Sequence, residues 1–113
     1  MAAVANTETA GFTHLHVWAL TTADPTGDSV SFPGARDRAV HAYGTWGGAT
    51  MAIQGSMDGT NWFTLHDESG VALTFTADGG HAIQENTLHL RAALTAVGVG
   101  ATVNVKILSG RTY

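Results

Sequence analysis

Apolar and polar residues alternate along most of this chain, in runs too short for helices. Phe12 to Leu20 places Leu15, Val17 and Ala19 on one side, and Phe12, His14, His16, Trp18 and Leu20 on the other. Bulk on both sides predicts a strand covered on both faces. Further strands are expected over Ser29 to Phe32, Arg38 to Tyr43, Ala49 to Ser56, Trp62 to His66, Val71 to Thr76, His81 to Gln84, Thr87 to Leu94 and Thr102 to Leu108. Turn signals punctuate them: Asp24-Pro25, Pro33-Gly34, the glycines of Gly44 to Gly48, Met57 to Asn61, Asp67 to Gly70, Asp78-Gly79-Gly80 and Gly98 to Gly100. The Asp58-Gly59 pair joins two alternating runs and predicts a β-hairpin, with Asn61 able to bond its own backbone. Short strands at this spacing, with no helical period between them, predict an all-β fold. The expected architecture is an antiparallel β-sandwich, jelly-roll-like, with an immunoglobulin-like sandwich as the alternative.

Met1 to Gly11 is rich in Ala, Thr and Asn and lacks apolar alternation, so residues 1–11 are read as a flexible N-terminal arm and 12–113 as a single domain. The expected core is Leu15, Val17, Val40, Met51, Ile53, Trp62, Leu65, Leu73, Phe75, Ile83, Leu88, Leu90, Val103, Val105 and Ile107.

A chain of 113 residues buries roughly 60–70% of the surface its unfolded form exposes, enough for a core without staples. There is no cysteine, which excludes disulfides, zinc–thiolate sites and cysteine nucleophiles. Five basic residues face nine acidic ones and form no basic run, so no nucleic-acid partner is expected. No apolar stretch approaches the ~18 residues of a membrane helix, and Met1 to Ala10 has no positive charge of the kind that opens a secretory signal, so no membrane partner is expected and the chain is read as made in a cytoplasm. The charged fraction is 12%, about half the usual share. A surface of Thr, Gly and Ala is easier to dehydrate than one of Lys and Glu, which suits contact with other subunits as well as an ordinary weakly charged domain.

Candidate chemistry is sparse. His14 and His16 share a strand face and could supply two metal ligands, but His41, His66, His81 and His89 are scattered and no third ligand is spaced for them. No metal or cofactor is therefore expected. Asp67 and Glu68 are adjacent in a turn, where paired acid–base work is not implied. No G-x-S-x-G sequence is present, and Gly44 to Gly48 lacks the lysine of a phosphate loop, so no enzymatic activity is expected. Trp46, Trp62 and Tyr43 would make an aromatic platform for sugar rings if they met, with Asp58 and Asn61 as hydrogen-bonding partners; buried tryptophans are the bland alternative.

The run GTWGGATMAIQGSMDGTNWFTL, Gly44 to Leu65, resembles a segment of small virion proteins of tailed bacteriophages. The resemblance rests on Gly44, Trp46, Gly47, Gly48, Gly55, Ser56, Asp58, Gly59, Asn61 and Trp62, with support from ALTFTADG (Ala72 to Gly79) and Leu90-Arg91. Met57 departs from it, standing where a polar turn residue is expected. The likeness implies a capsid decoration (cement) or head accessory protein: a β-rich virion component on the capsid surface, binding the major capsid protein and itself, as a homotrimer. Under that reading Ala2, Ala3, Val4, Ala5, Asn6, Thr7 and Phe12 of the arm, with Trp46, are the expected capsid or subunit contacts. The same hairpin resembles part of discoidin-like sugar-binding jelly rolls. That implies the alternative of a carbohydrate-binding module on the virion, with Trp46, Asp58, Asn61 and Trp62 as glycan contacts.

Overall fold

The computed structural model describes residues 3–10, 13–31 and 37–110. Nine strands follow in order: β1 (Val4–Ala10), β2 (Thr13–Thr21), β3 (Asp37–Thr45), β4 (Thr50–Ser56), β5 (Phe63–Thr64), β6 (Thr74–Phe75), β7 (Gly79–Ile83), β8 (His89–Ala96) and β9 (Thr102–Gly110). One sheet runs β1-β2-β9-β3-β7. In the other, β4 takes β5 and β6 along one edge and β8 along its other edge. The free side of β8 is met by residues 25–30 through bridges Thr26↔Ala93 and Val30↔Leu90. The Gly27 and Val30 N–H groups donate to the Ala92 and Leu90 carbonyls at 2.9 and 2.8 Å. The second sheet is thus (25–30)-β8-β4-(β5, β6). The order β2-β9-β3-β7 in one sheet against (25–30)-β8-β4-(β5, β6) in the other is that of a jelly roll, which decides against the immunoglobulin-like arrangement.

The expected hairpin forms as the β4–β5 pair, Gln54↔Thr64 and Gly55↔Phe63. Its return strand and the next one are only two residues each, because the intervening chain is stitched irregularly. Leu65 N–H donates to Ile53 O, Leu73 N–H to Leu65 O and Ile53 N–H to Leu73 O. Leu65 and Leu73 are buried all the same.

Between the sheets lie Val40, Ile83, Val103, Val105 and Ile107 from the first, facing Met51, Ile53, Leu90, Ala92 and Leu94 from the second. Four expected core residues are placed differently. Leu15 and Val17 lie on the outer side of β2, and its inner side is His16, Trp18 and Leu20, all fully buried. Volume decides the phase: the indole fills the gap between the sheets, with its Nε1–H donating to Asp28 O at 2.8 Å. Trp62 is half-buried on the outer side of the second sheet, and Leu88 precedes β8 and is 41% exposed.

Residues Val4–Ala10, expected as a flexible arm, form the edge strand β1, antiparallel to β2 from Val4↔Trp18 to Ala10↔Thr13. Val4 shares the inward side with Trp18 and packs on the core. The pairing is a hairpin with the following strand β2, which the arm's own composition does not announce.

Two outcomes follow from the position of Trp18. A Cβ added at Gly27 would lie 2.6 Å from both the Ala92 carbonyl oxygen and Trp18 Cδ1. Gly27→Ala is expected to cost about 1–3 kcal/mol in denaturant unfolding. Gly79→Ala, whose methyl would sit 3.5 Å from the Phe75 ring, serves as the tolerated control. The second outcome concerns His16. Its pKa is lowered to about 4 by burial, then by His14 and Arg38. Above pH ~6.5 it is neutral folded and unfolded alike. As pH falls from there to 4, the unfolded chain takes up the proton and the folded one does not, so stability falls. The loss is expected to be on the order of 2 kcal/mol over that window. Thermal melts of His16→Phe should lack this step and keep the further loss below pH ~4 that comes from carboxylates.

Candidate functional site

The Ser56 to Asn61 turn is closed by its own side chains. Ser56 Oγ accepts from the N–H groups of Asp58 and Gly59 at 3.2 and 2.9 Å, and its hydroxyl donates to Asp58 Oδ1 at 2.9 Å. Asp58 Oδ1 also accepts from Thr60 and Asn61 N–H, both at 2.8 Å, and Oδ2 from Asn61 Nδ2 at 2.7 Å. These donors, the Asn61 backbone first, hold the carboxyl well below the usual carboxylate range. Asn61 thus bonds Asp58 rather than its own backbone. Both proposed glycan partners are engaged in holding the turn.

The tryptophans do not meet. Trp46 precedes β4 and Trp62 follows the turn beyond its other end, so about 20 Å of strand lies between their positions. Trp46 is half-buried against the core, with Nε1–H donating to Asp78 Oδ1 at 2.8 Å; the same oxygen accepts from Gly44 N–H at 3.1 Å. The indole first and the Gly44 N–H second lower the Asp78 pKa. Trp62 carries the Arg91 guanidinium 4.1 Å from its ring centroid, with the His89 ring 6.5 Å away; Arg91 Nε–H donates to Gln54 Oε1 at 2.9 Å. One face of this indole is therefore occupied by a cation. Tyr43 belongs to the other sheet, 5.0 Å from the His41 ring and 5.4 Å from Lys106 Nζ.

Of the expected arm contacts, Ala3 and Ala5 are exposed, Val4 points inward, and Asn6 and Thr7 are register positions in β1. Ala2 and Phe12 lie outside the described residues. His14 and His16 do share the inner side of β2, their rings 6.4 Å apart. Among the described residues no group of three His, Asp or Glu converges as a metal site would require. Asp67 Oδ1 accepts from Ser69 and Val71 N–H at 2.9 and 3.0 Å, and Glu68 is exposed, so this pair is a turn.

Three features escaped the sequence reading. His66 is clasped by Glu85, whose Oε1 accepts the His66 N–H at 2.7 Å and whose Oε2 lies 2.6 Å from Nδ1. Burial pushes the Glu85 pKa up, and the His66 imidazole and N–H outweigh it to leave it lowered. Arg38 is buried, its Nη2–H donating to Thr87 O at 3.3 Å. Val97 and Val99 stand exposed at one end of the sandwich, at 41% and 85%. The alternation Val97-Gly98-Val99-Gly100 was the one available signal for the last of these, and it reads equally well as a bend.

No protein-family model matches the chain, and no curated protein matches it in sequence. In three dimensions it is similar to the SPBc2 prophage-derived protein YomS, at 10% identity and a TM-score of 0.62, over 91% of this chain and 98% of that one. A cupin domain from Bordetella pertussis Tohama I aligns at 13% identity and a TM-score of 0.46, over 99% and 94% of the two chains. Protein NMB1881 from Neisseria meningitidis aligns at 9% identity and 0.46, over 94% and 81%. The likeness to YomS shows a shared fold across nearly the whole of both chains.

Proposed function

We propose that the chain is a phage virion structural protein, a capsid decoration (cement) protein that binds the major capsid protein lattice and stabilises the head without performing a reaction. The observation that carries this reading is the distribution of exposed apolar bulk. Met57, Phe63, Val71, Leu88, Val97, Val99 and Leu108 are all exposed. They fall at both ends of the sandwich and on the outer side of the five-stranded sheet, where Leu15, Leu108 and Ala39 form one row across β2, β9 and β3, beside the row Val17, Lys106 and His41. A contiguous apolar row on an outer sheet face suits contact with another subunit more than contact with water. The prophage origin of YomS points the same way, as does the virion-like segment Gly44 to Leu65.

The test is copy number. Quantitative mass spectrometry of purified particles of the encoding phage is expected to find hundreds of copies per virion, retained on emptied heads. Tens of copies confined to tails would overturn the reading. So would specific binding on a glycan array that Trp62→Ala removes while the fold is kept, which would favour the adhesive module instead.

A further inference from the structure

The exposed valines belong to an unusually fixed tip. Residues 97–101, the turn at Gly47-Gly48 and Thr22 are bonded together at the end of the sandwich where β9 begins. Val99 N–H donates to Gly47 O at 2.9 Å, Ala49 N–H to Trp46 O at 2.8 Å, Thr22 Oγ1–H to Val97 O at 3.2 Å and Ala101 N–H to Thr22 Oγ1 at 3.0 Å. The backbones approach too closely for side chains. A Cβ at Gly47 would lie 2.1 Å from Val99 O, and one at Gly98 would lie 2.7 Å from Gly47 O; both residues have positive φ, 55° and 66°. The valines are therefore held in place before any partner arrives, so binding through them loses little further entropy. Within 21–24, 45–49 and 96–101 the sole ionisable side chain is Asp24. With no Lys or Arg there, an anionic lipid or nucleic-acid surface has nothing to attract it.

At the opposite end of β9 the same sheet carries a pocket of about 380 Å³ lined by Thr13, Asp37, Arg38, Ala39, Leu108 and Gly110. At ~30 Å³ per water, that is room for roughly a dozen waters, more than a valine side chain displaces. Its floor is apolar, from Ala39 and its cross-strand neighbour Leu108, both exposed. Tip and pocket are separated by the length of β9, about 26 Å.

We propose that copies of this chain associate head to tail, the Val97/Val99 tip of one entering the Ala39/Leu108 pocket of the next. The two surfaces are different, so the contact is heterologous and generates a closed ring or a filament rather than a two-fold dimer. This names the self-contact that the decoration reading invokes; its failure would leave shell binding intact, because it is measured on the isolated protein.

Sedimentation velocity of the full chain over a wide concentration range is expected to show species larger than a dimer. Val99→Asp, which destroys the tip, and Ala39→Arg, which fills the pocket, should each weaken association at least tenfold while keeping the wild-type circular dichroism. Val99→Ser and Leu108→Lys stand in if either misfolds. Mixing the tip variant with the pocket variant leaves one intact tip facing one intact pocket, so the mixture should form a 1:1 dimer and nothing larger. A monomeric wild type, variants that associate normally, or a mixture with no dimer would each overturn the proposal.

Discussion

The indole of Trp18 sets the phase of β2, and most of what distinguishes this molecule follows from that choice. A strand offers two faces and a one-residue slip exchanges them. With Trp18 between the sheets, Leu20 and His16 must also be inside, and Leu15 and Val17 must be outside. The interior gains the largest side chain available to it, and burial of that ring outweighs the cost of desolvating an imidazole. The cost is still present in the pKa of His16, lowered to about 4. The outer side of the sheet inherits the aliphatic residues, which then lie beside Leu108 and Ala39. One packing decision thus creates both a proton-sensitive core and an apolar exterior.

Several carboxylates of this chain are committed to its own backbone rather than to solvent alone. Asp58, Asp67, Asp78 and Glu85 each accept backbone N–H groups at a turn or strand end. A carboxylate used this way fixes loop geometry, as a capping residue does for a helix, and solvates the surface less. Four of the nine acidic residues therefore act as clasps, and the loops they hold present Thr, Gly, Val and Met. Rigid ends with weakly hydrated surfaces favour contact with protein, since little ordering and little desolvation oppose it.

Much of this was legible in the sequence. Strands β3, β4, β8 and β9 and the core residues Val40, Met51, Ile53, Leu90, Val103, Val105 and Ile107 follow from alternation alone, because each of those strands has one bulky and one polar or small side. The phase of β2 was not, because both its sides are bulky and the deciding factor is the width of the gap between the sheets, a tertiary quantity. Residues 4–10 carry no alternation, and their strand exists through the free edge of β2. The His66–Glu85 clasp joins residues 19 apart that meet only after β5 and β7 are placed. At the candidate site, Trp46 and Trp62 are close in sequence and share a motif, yet β4 carries them to opposite ends. Proximity in sequence misleads most where a strand runs between the two residues.

The proposed head-to-tail association would give this arrangement a purpose that neither end has alone. Each copy has one tip and one pocket, so an open chain always leaves one of each exposed to water, and only closure satisfies all of them. Once the rotation per contact permits a ring, the last contact is intramolecular and is made at high effective concentration, so rings displace filaments. The close backbone approach at Gly47 and Gly98 would matter in such an assembly, because a stiff tip tolerates fewer rotations than a flexible one. A stiff ring also presents the remaining apolar groups of every copy at repeated spacings, which is what a surface must do to register with a lattice of identical subunits. In that proposal the glycines that look, in sequence, like a bend would help to decide how many copies meet.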